Sequence, residues 1–376
     1  MITAHTLLLD PFDRLPAILA DWRSASPDMG ILALLPETEK DRVPALQAAC
    51  REAGVALIGA IFPALITDQG FASWGILLLR FDRMPPAFLI PDMGGDAAEA
   101  AKAIAAAVQP AVPASGKPTL FMVFDGMLPN IGSILVDLYG ELGSGVVYAG
   151  VNAGSETFQP MPCLFDADTL LGNGLLACLL PEDTTTAVDH CYPVTRSLMS
   201  ASSGQGNRID QIDGRPAFDV YRDVLREEIG IELTHANFYD YAVHFPFGLV
   251  TAIDVLVRIP VAFNDDGSLF CVGEVPPNAK LRLLRAPALE SSTCVEELAV
   301  KLAPGLPSQS GWPLLTFYCA GRRMHFGAEM AAKELAMLRQ ATGWPSMLGA
   351  LSLGEIDSRE DFDFPRFHNA SLVCVR

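Results

Sequence analysis

The chain is organised by short apolar runs that end at proline or glycine and alternate with stretches whose apolar positions recur at helical spacing. Ile31-Leu32-Ala33-Leu34-Leu35-Pro36 is such a run; with no polar alternation, it predicts a strand covered on both faces. Over residues 40–52, alanines, Leu46 and charged side chains take helical spacing, and Gly54 stands where a C-terminal cap belongs. A second apolar run follows at 55–60 and, after a polar loop, a third at 74–80. The predicted order is β-α-β-β.

That order returns twice. In the second copy a strand at 119–126 leads to a helix over 129–142 opened by Pro129, then to strands at 146–150 and 175–180. In the third, a strand at 314–319 precedes a helix over 328–340 and strands at 346–350 and 370–375. Each second strand carries a glycine beside a small neighbour: Gly59-Ala60, Ala149-Gly150 and Gly349-Ala350. A missing side chain admits either a ligand or a crowded neighbouring strand, and the pattern leaves both open.

Between the second and third copies the pattern changes. Residues 209–217 read as strand and turn and 218–229 as a helix with Arg226, Glu227 and Glu228 on its wet face. Short strands follow at 250–259, 269–274 and 280–284, joined by Asn264-Asp265-Asp266-Gly267 and Pro276-Pro277. A helix over 292–302 and the loop Pro304-Gly305-Leu306-Pro307-Ser308 lead back to the third copy. The expected fold is therefore α/β with α+β character. Its 376 residues exceed one ordinary core, and they divide into two modules, 1–205 and 206–376, with a more antiparallel region within the second.

Composition narrows the function. Half of the residues are apolar and 19% are charged, so no long stretch has the composition of disorder. A net charge of −18, from 26 basic and 44 acidic residues, repels nucleic-acid phosphates and anionic lipid headgroups, and neither is an expected partner. The most basic stretch, 280–285, interleaves its charges with leucines like a strand with one solvated face. The apolar runs fall well short of the roughly 20 residues that a membrane-spanning helix needs. The first residues lack a secretory signal's basic start and apolar core. Eight cysteines without CxxC pairs read as reduced thiols of a cytoplasmic protein, mostly packed as small hydrophobes.

Several phrases, taken in order, resemble the FIST family of sensor proteins, in which a FIST N-terminal module precedes a FIST C-terminal one. In the first module they are Phe124-Asp125-Gly126, Gly150-Val151-Asn152-Ala153-Gly154, Gly206-Asn207-Arg208-Ile209 and Asp213-Gly214-Arg215-Pro216-Ala217. In the second they are His244-Phe245-Pro246-Phe247-Gly248, Asp266-Gly267-Ser268-Leu269-Phe270, Cys319-Ala320-Gly321-Arg322, Gly354-Glu355-Ile356 and His368-Asn369-Ala370-Ser371. Two places depart from the family pattern: Ala149 replaces one of its paired glycines, and Ser155-Glu156 stands where it commonly has an aspartate. The resemblance implies small-ligand sensing in signal transduction, with amino-acid-like ligands. Some relatives resemble haem-binding nitric oxide sensors that regulate histidine kinases. With no kinase or receiver segment in view, output is expected to pass to a separate protein.

The candidate residues follow from the loops after the strands. Arg322, Glu355 and Asn369, with Ser352 and Gly354, lie at or just beyond strand ends in the third copy. They offer a cation, an anion and small neighbours to an amino-acid-like ligand. The competing expectation is a structural ion pair between Arg322 and Glu355. Asp125, Asn152 and Ser155 take the corresponding loop positions in the second copy. Six histidines form neither HxH nor HExxH, so no metal site is expected, while His190, His244 and His368 are the candidates for an axial haem ligand. Gly143-Ser144-Gly145 is a helix-ending turn rather than a nucleophile elbow, and residues 203–207 are a hairpin rather than a phosphate loop. Cys319 is the most interesting thiol, with Arg322 near enough in sequence to lower its pKa, against burial as a strand-end core residue. No nucleophile paired with a base is apparent. The chain therefore reads as a sensor, with a haem-dependent gas sensor and an enzyme of a small polar substrate as alternatives.

Overall fold

A computed structural model describes residues 2–8, 12–182, 184–252, 254–303, 313–358 and 364–376; the predicted loop at 304–308 lies outside them. The first copy is longer than its β-α-β-β signal. It runs β1 (Ile2–Leu8), α1 (Leu15–Ala25), β2 (Gly30–Pro36), α2 (Val43–Ala53), β3 (Ala56–Phe62), the hairpin β4 (Leu65–Thr67) and β5 (Gly70–Ala72), and β6 (Ile76–Phe81). Helix α2 starts at a proline and stops at Gly54, whose left-handed φ of 62° lets its N–H reach the carbonyls of Arg51 and Cys50.

The second copy repeats every part: β7 (Ala87–Ile90), α3 (Ala97–Val108), β8 (Thr119–Asp125), α4 (Ile131–Leu142), β9 (Val147–Ala153), the hairpin β10 (Leu164–Asp166) and β11 (Leu170–Leu171), and β12 (Leu175–Leu180). The third opens with β13 (Thr186–Asp189) and is then interrupted. The interruption holds β14 (Met199–Gln205), β15 (Arg208–Ile212), β16 (Arg215–Pro216), α5 (Ala217–Ile229), α6 (Phe238–Ala242), β17 (Phe247–Val250), β18 (Val255–Arg258), β19 (Pro260–Phe263), β20 (Leu269–Cys271) and β21 (Lys280–Leu283). The copy resumes with α7 (Cys294–Leu302), β22 (Leu314–Cys319), α8 (Ala320–Thr342), β23 (Met347–Ser352), the hairpin β24 (Glu355–Ser358) and β25 (Pro365–His368), and β26 (Leu372–Val375).

The three copies share one register. In each, the strand between the two helices lies parallel to the next strand and antiparallel to the last: β2 with β3 and β6, β8 with β9 and β12, β22 with β23 and β26. The recurrent glycines occupy one rung of it, with Gly59 opposite Ala33, Gly150 opposite Met122 and Gly349 opposite Thr316. A Cβ there would sit 2.6 Å from the Ala33 carbonyl oxygen, 2.1 Å from that of Met122 and 1.8 Å from that of Thr316. The glycines thus serve close strand approach rather than a ligand. Gly349, at φ 157°, is the tightest of the three. Gly349→Ala is expected to cost about 2 kcal/mol by overpacking, read as a lower urea midpoint at unchanged slope.

Each copy lends its hairpin to a neighbour. The β10–β11 hairpin extends the first sheet beside β3, β24–β25 extends the second beside β9, and β4–β5 extends the third beside β23. The exchange closes on itself, tying three six-stranded sheets into a pseudo-threefold ring. Their inner faces meet in one core where Phe317 contacts the Phe62 and Phe121 rings, each at 5.7 Å. Outer faces are covered by helices: Leu120, Met122 and Phe124 pack under α3 and α4, and Leu314 and Tyr318 under α7 and α8. Cover on both sides is why these strands read as unbroken apolar runs.

The interruption is an antiparallel sheet in the order β18-β17-β21-β14-β15-β20-β19, with its own core around Tyr221, Phe238 and Phe247. The predicted strand over 250–259 is instead a hairpin, because the Thr251 hydroxyl and backbone bond Asp254 and turn the chain between β17 and β18. The predicted helix over 328–340 begins eight residues earlier, at Ala320, and bends at Gly327, which has φ 76° and ψ 159°. Among the described residues no helix is long and apolar enough to cross a membrane.

Candidate functional site

Strands β22 and β23 run parallel, and the chain leaves both at the same edge. Ligands of open α/β sheets gather beyond such carboxyl ends. There the structure has a cavity of about 240 Å³. Its floor is the end of β22 and start of α8, Cys319, Ala320 and Gly321, with Leu353 after β23 and Asn369 before β26. The interruption closes it from above with Val243, Ile259 and Val261, and the loop after β9 closes one side with Glu156 and Phe158. The roof rests closely on Gly321 here, where a Cβ would lie 2.4 Å from Ile259 Cδ1. Tyr239 and Met324, both more than half exposed, stand at the mouth. Across that side Arg323 bonds Glu156 at 2.5 Å and joins α8 to the loop.

Most of the lining is apolar, so its few polar atoms stand out. Asn369 is fully buried, and both its Oδ1 and its Nδ2 lack a hydrogen-bond partner. Cys319 occupies the N-cap of α8. Its Sγ accepts the Ala370 N–H at 3.1 Å. Burial nonetheless pushes the thiol up. Behind Cys319 lies Glu355, fully buried, taking hydrogen bonds from Ser352 Oγ at 2.5 Å and Ser371 Oγ at 2.7 Å. Burial pushes the Glu355 carboxyl up to about 7, against the opposing pull of the serines.

Four of the expected residues, Glu355, Ser352, Asn369 and Arg322, thus gather around the end of β22, though Asn369 alone of the four lines the cavity. Arg322 pairs with Glu334 and not with Glu355. The two are both fully buried and joined by Nε to Oε2 at 2.9 Å and Nη2 to Oε1 at 2.6 Å. Its Nη1 donates to the carbonyls of His190 and Ala370. A guanidinium so engaged has little left for a ligand carboxylate. Sequence reasoning missed Glu334 because it lies mid-helix, beyond the Gly327 bend that brings it back over Arg322.

Asp125 and Asn152 lie elsewhere. Asp125 clamps two turns, accepting the N–H of Met127 at 2.9 Å and of Asn173 at 2.6 Å. Asn152 exchanges backbone bonds with Leu353 and Gly354, so it braces the cavity wall from outside. Ser155 Oγ bonds Thr157 within the loop after β9. The histidines do not fit haem at the cavity. His190 has Nε2 on the Val255 carbonyl and Nδ1 on the Tyr192 N–H, His244 meets His325 through Nδ1, His368 meets Asp357 through Nε2, and none of the three lines it. One group of potential metal ligands that sequence reasoning did not foresee, Asp189, Cys191 and Glu297, lies within 4.8 Å. Its aspartate already holds Lys301 Nζ at 2.6 Å and the Cys191 thiol at 3.1 Å.

Compared with known proteins, residues 30–215 match the FIST N domain and residues 217–358 match the FIST C domain. No curated protein matches the chain.

Proposed function

The chain belongs to the FIST family, whose domains are small-ligand sensors of signal transduction, and from that premise we propose that its ligand occupies the cavity at the end of β22. One observation carries the reading: Asn369, wholly buried in an apolar wall, has neither amide atom satisfied. A buried polar group left unmade costs about 1–3 kcal/mol, which a ligand bearing both a donor and an acceptor would remove. The expected ligand is small, apolar in its body and polar at one end.

The cavity is walled by three separate segments, so filling it biases how the interruption and the loop after β9 sit on the third sheet. That shift is the proposed output, read in the cytoplasm by a separate signalling protein, with a histidine kinase as the partner the family resemblance points to. A second reading keeps the amino-acid-like ligand. The Glu156–Arg323 pair at the mouth could open to take an ammonium and a carboxylate while an apolar side chain enters the cavity.

Thermal-shift titration with butyramide and with L-leucine tests both. Butyramide is expected to raise the melting temperature of the wild type and not of Leu353→Trp, whose indole fills the cavity. L-leucine is expected to lose its effect in Arg323→Ala as well. A wild type unmoved by either compound, or a Leu353→Trp variant that still responds, would remove the cavity as the ligand site.

A further inference from the structure

We infer that Cys319 captures its ligand covalently and reversibly, adding to the carbonyl carbon of a small aliphatic aldehyde held in the cavity while Glu355 takes the thiol proton. The inference rests on the cavity being the ligand site and names the class of ligand.

Three groups converge there with complementary roles. The thiol of Cys319 lies in the cavity wall. The Ala370 N–H bonds its sulfur at 3.1 Å, and such a donor favours negative charge on the sulfur as its proton departs. Glu355, held by Ser352 and Ser371 beside Cys319 on the protein side and poised near neutrality, exists in both protonation states at physiological pH. Asn369 supplies the third part: its unpartnered Nδ2–H is the donor that oxygen needs as negative charge develops on it.

The step balances without a further reactant. Sulfur bonds to the carbonyl carbon as the carbon–oxygen π bond breaks, the thiol proton passes to Glu355, and a proton reaches the oxygen by way of water admitted at the cavity mouth as Glu355 gives its own back, leaving a neutral hemithioacetal. Oδ1 of Asn369 then accepts from the new hydroxyl. Nothing leaves and nothing is oxidised, so the step reverses when free aldehyde falls, as a sensor requires. No other described cysteine lines the cavity, which sets thiol exchange aside. At about 240 Å³ the space exceeds the ~150 Å³ cavity that holds benzene, so a short alkyl chain fits.

The test uses [1-¹³C]butyraldehyde and the full chain. Carbon NMR of the wild type should show a protein-bound resonance distinct from the free aldehyde and its hydrate. Cys319→Ser and Cys319→Ala should lose it, and Cys191→Ser, which removes the half-buried thiol, should keep it. Glu355→Gln should slow aldehyde exchange roughly a hundredfold with the circular dichroism spectrum unchanged. An adduct that survives Cys319→Ser, or vanishes in Cys191→Ser, overturns the assignment. If the wild type forms no adduct but butyramide still binds in a manner lost in Leu353→Trp, covalent capture is wrong and the cavity reading stands. If neither compound binds, both fall.

Discussion

Glu334→Ala is expected to destabilise the folded chain by about 3–5 kcal/mol, measured as the loss of unfolding free energy in urea. The carboxylate it removes meets Arg322 at two points and takes the Tyr318 hydroxyl at 2.6 Å, with both charged residues fully buried. What remains is a guanidinium that cannot reach water. The rings of Tyr192 and Phe326, centred 5.7 and 5.1 Å from its carbon, and two backbone carbonyls are poor substitutes for a full counter-charge. Arg322→Met combined with Glu334→Leu should be far milder than either single loss, because no orphaned charge is left. A single-variant loss under about 1 kcal/mol, the scale of an exposed pair, would show that Arg322 finds solvent and is free to meet a ligand. The damage should also reach the cavity. Arg322 ties the start of α8 to His190 before the interruption and to Ala370 before β26, and Ala370 is the residue that donates to Cys319.

How much of this could be read beforehand depends on which contacts are local. The repeat was legible because sheets covered on both faces write themselves as apolar runs, and β22 and β12 match the predicted bounds. Helix α3 was missed although Ala100, Ala101, Ile104, Ala105 and Val108 form one buried face and Asp96 caps it through the N–H groups of Ala98 and Glu99. The exchanged hairpins were out of reach: strands of two to four residues specify almost nothing alone and acquire a partner only once the ring closes. The same division runs through the site. Cys319, Glu355 and Asn369 could be picked out because each lies beside a strand end, but the apolar roof from Val243, Ile259 and Val261 comes from a separate body of the fold. Their shared place at strand ends favoured Glu355 as the partner of Arg322. Chain geometry decided for Glu334, which the bend at Gly327 carries back over the strand end.

Glu355 should make stability fall as pH rises through neutrality, the reverse of an ordinary paired carboxylate. Burial lifts its folded value from 4.5 to about 7, so between those limits the folded chain keeps a proton that the unfolded chain has released. The preference is fully present below about pH 4.5, fades through the interval and is gone above 7, a swing of about 3 kcal/mol. Glu355→Gln, which cannot ionise, should therefore match the wild type near pH 4.5 and gain on it steadily up to a plateau beyond pH 7. Taking the difference between the two proteins in urea cancels the buried histidines, His190 among them, whose lowered values act in the opposite direction in both. A difference that stays flat, or that turns in favour of the wild type as pH rises, would mean that Ser352 and Ser371 hold the carboxylate charged. The form that costs stability is also the one able to accept the Cys319 proton, because a protonated Glu355 has no vacancy for it. Glutamine would be the more stable choice at this position, so a carboxyl kept there at the expense of stability is what a proton-handling role in the cavity predicts.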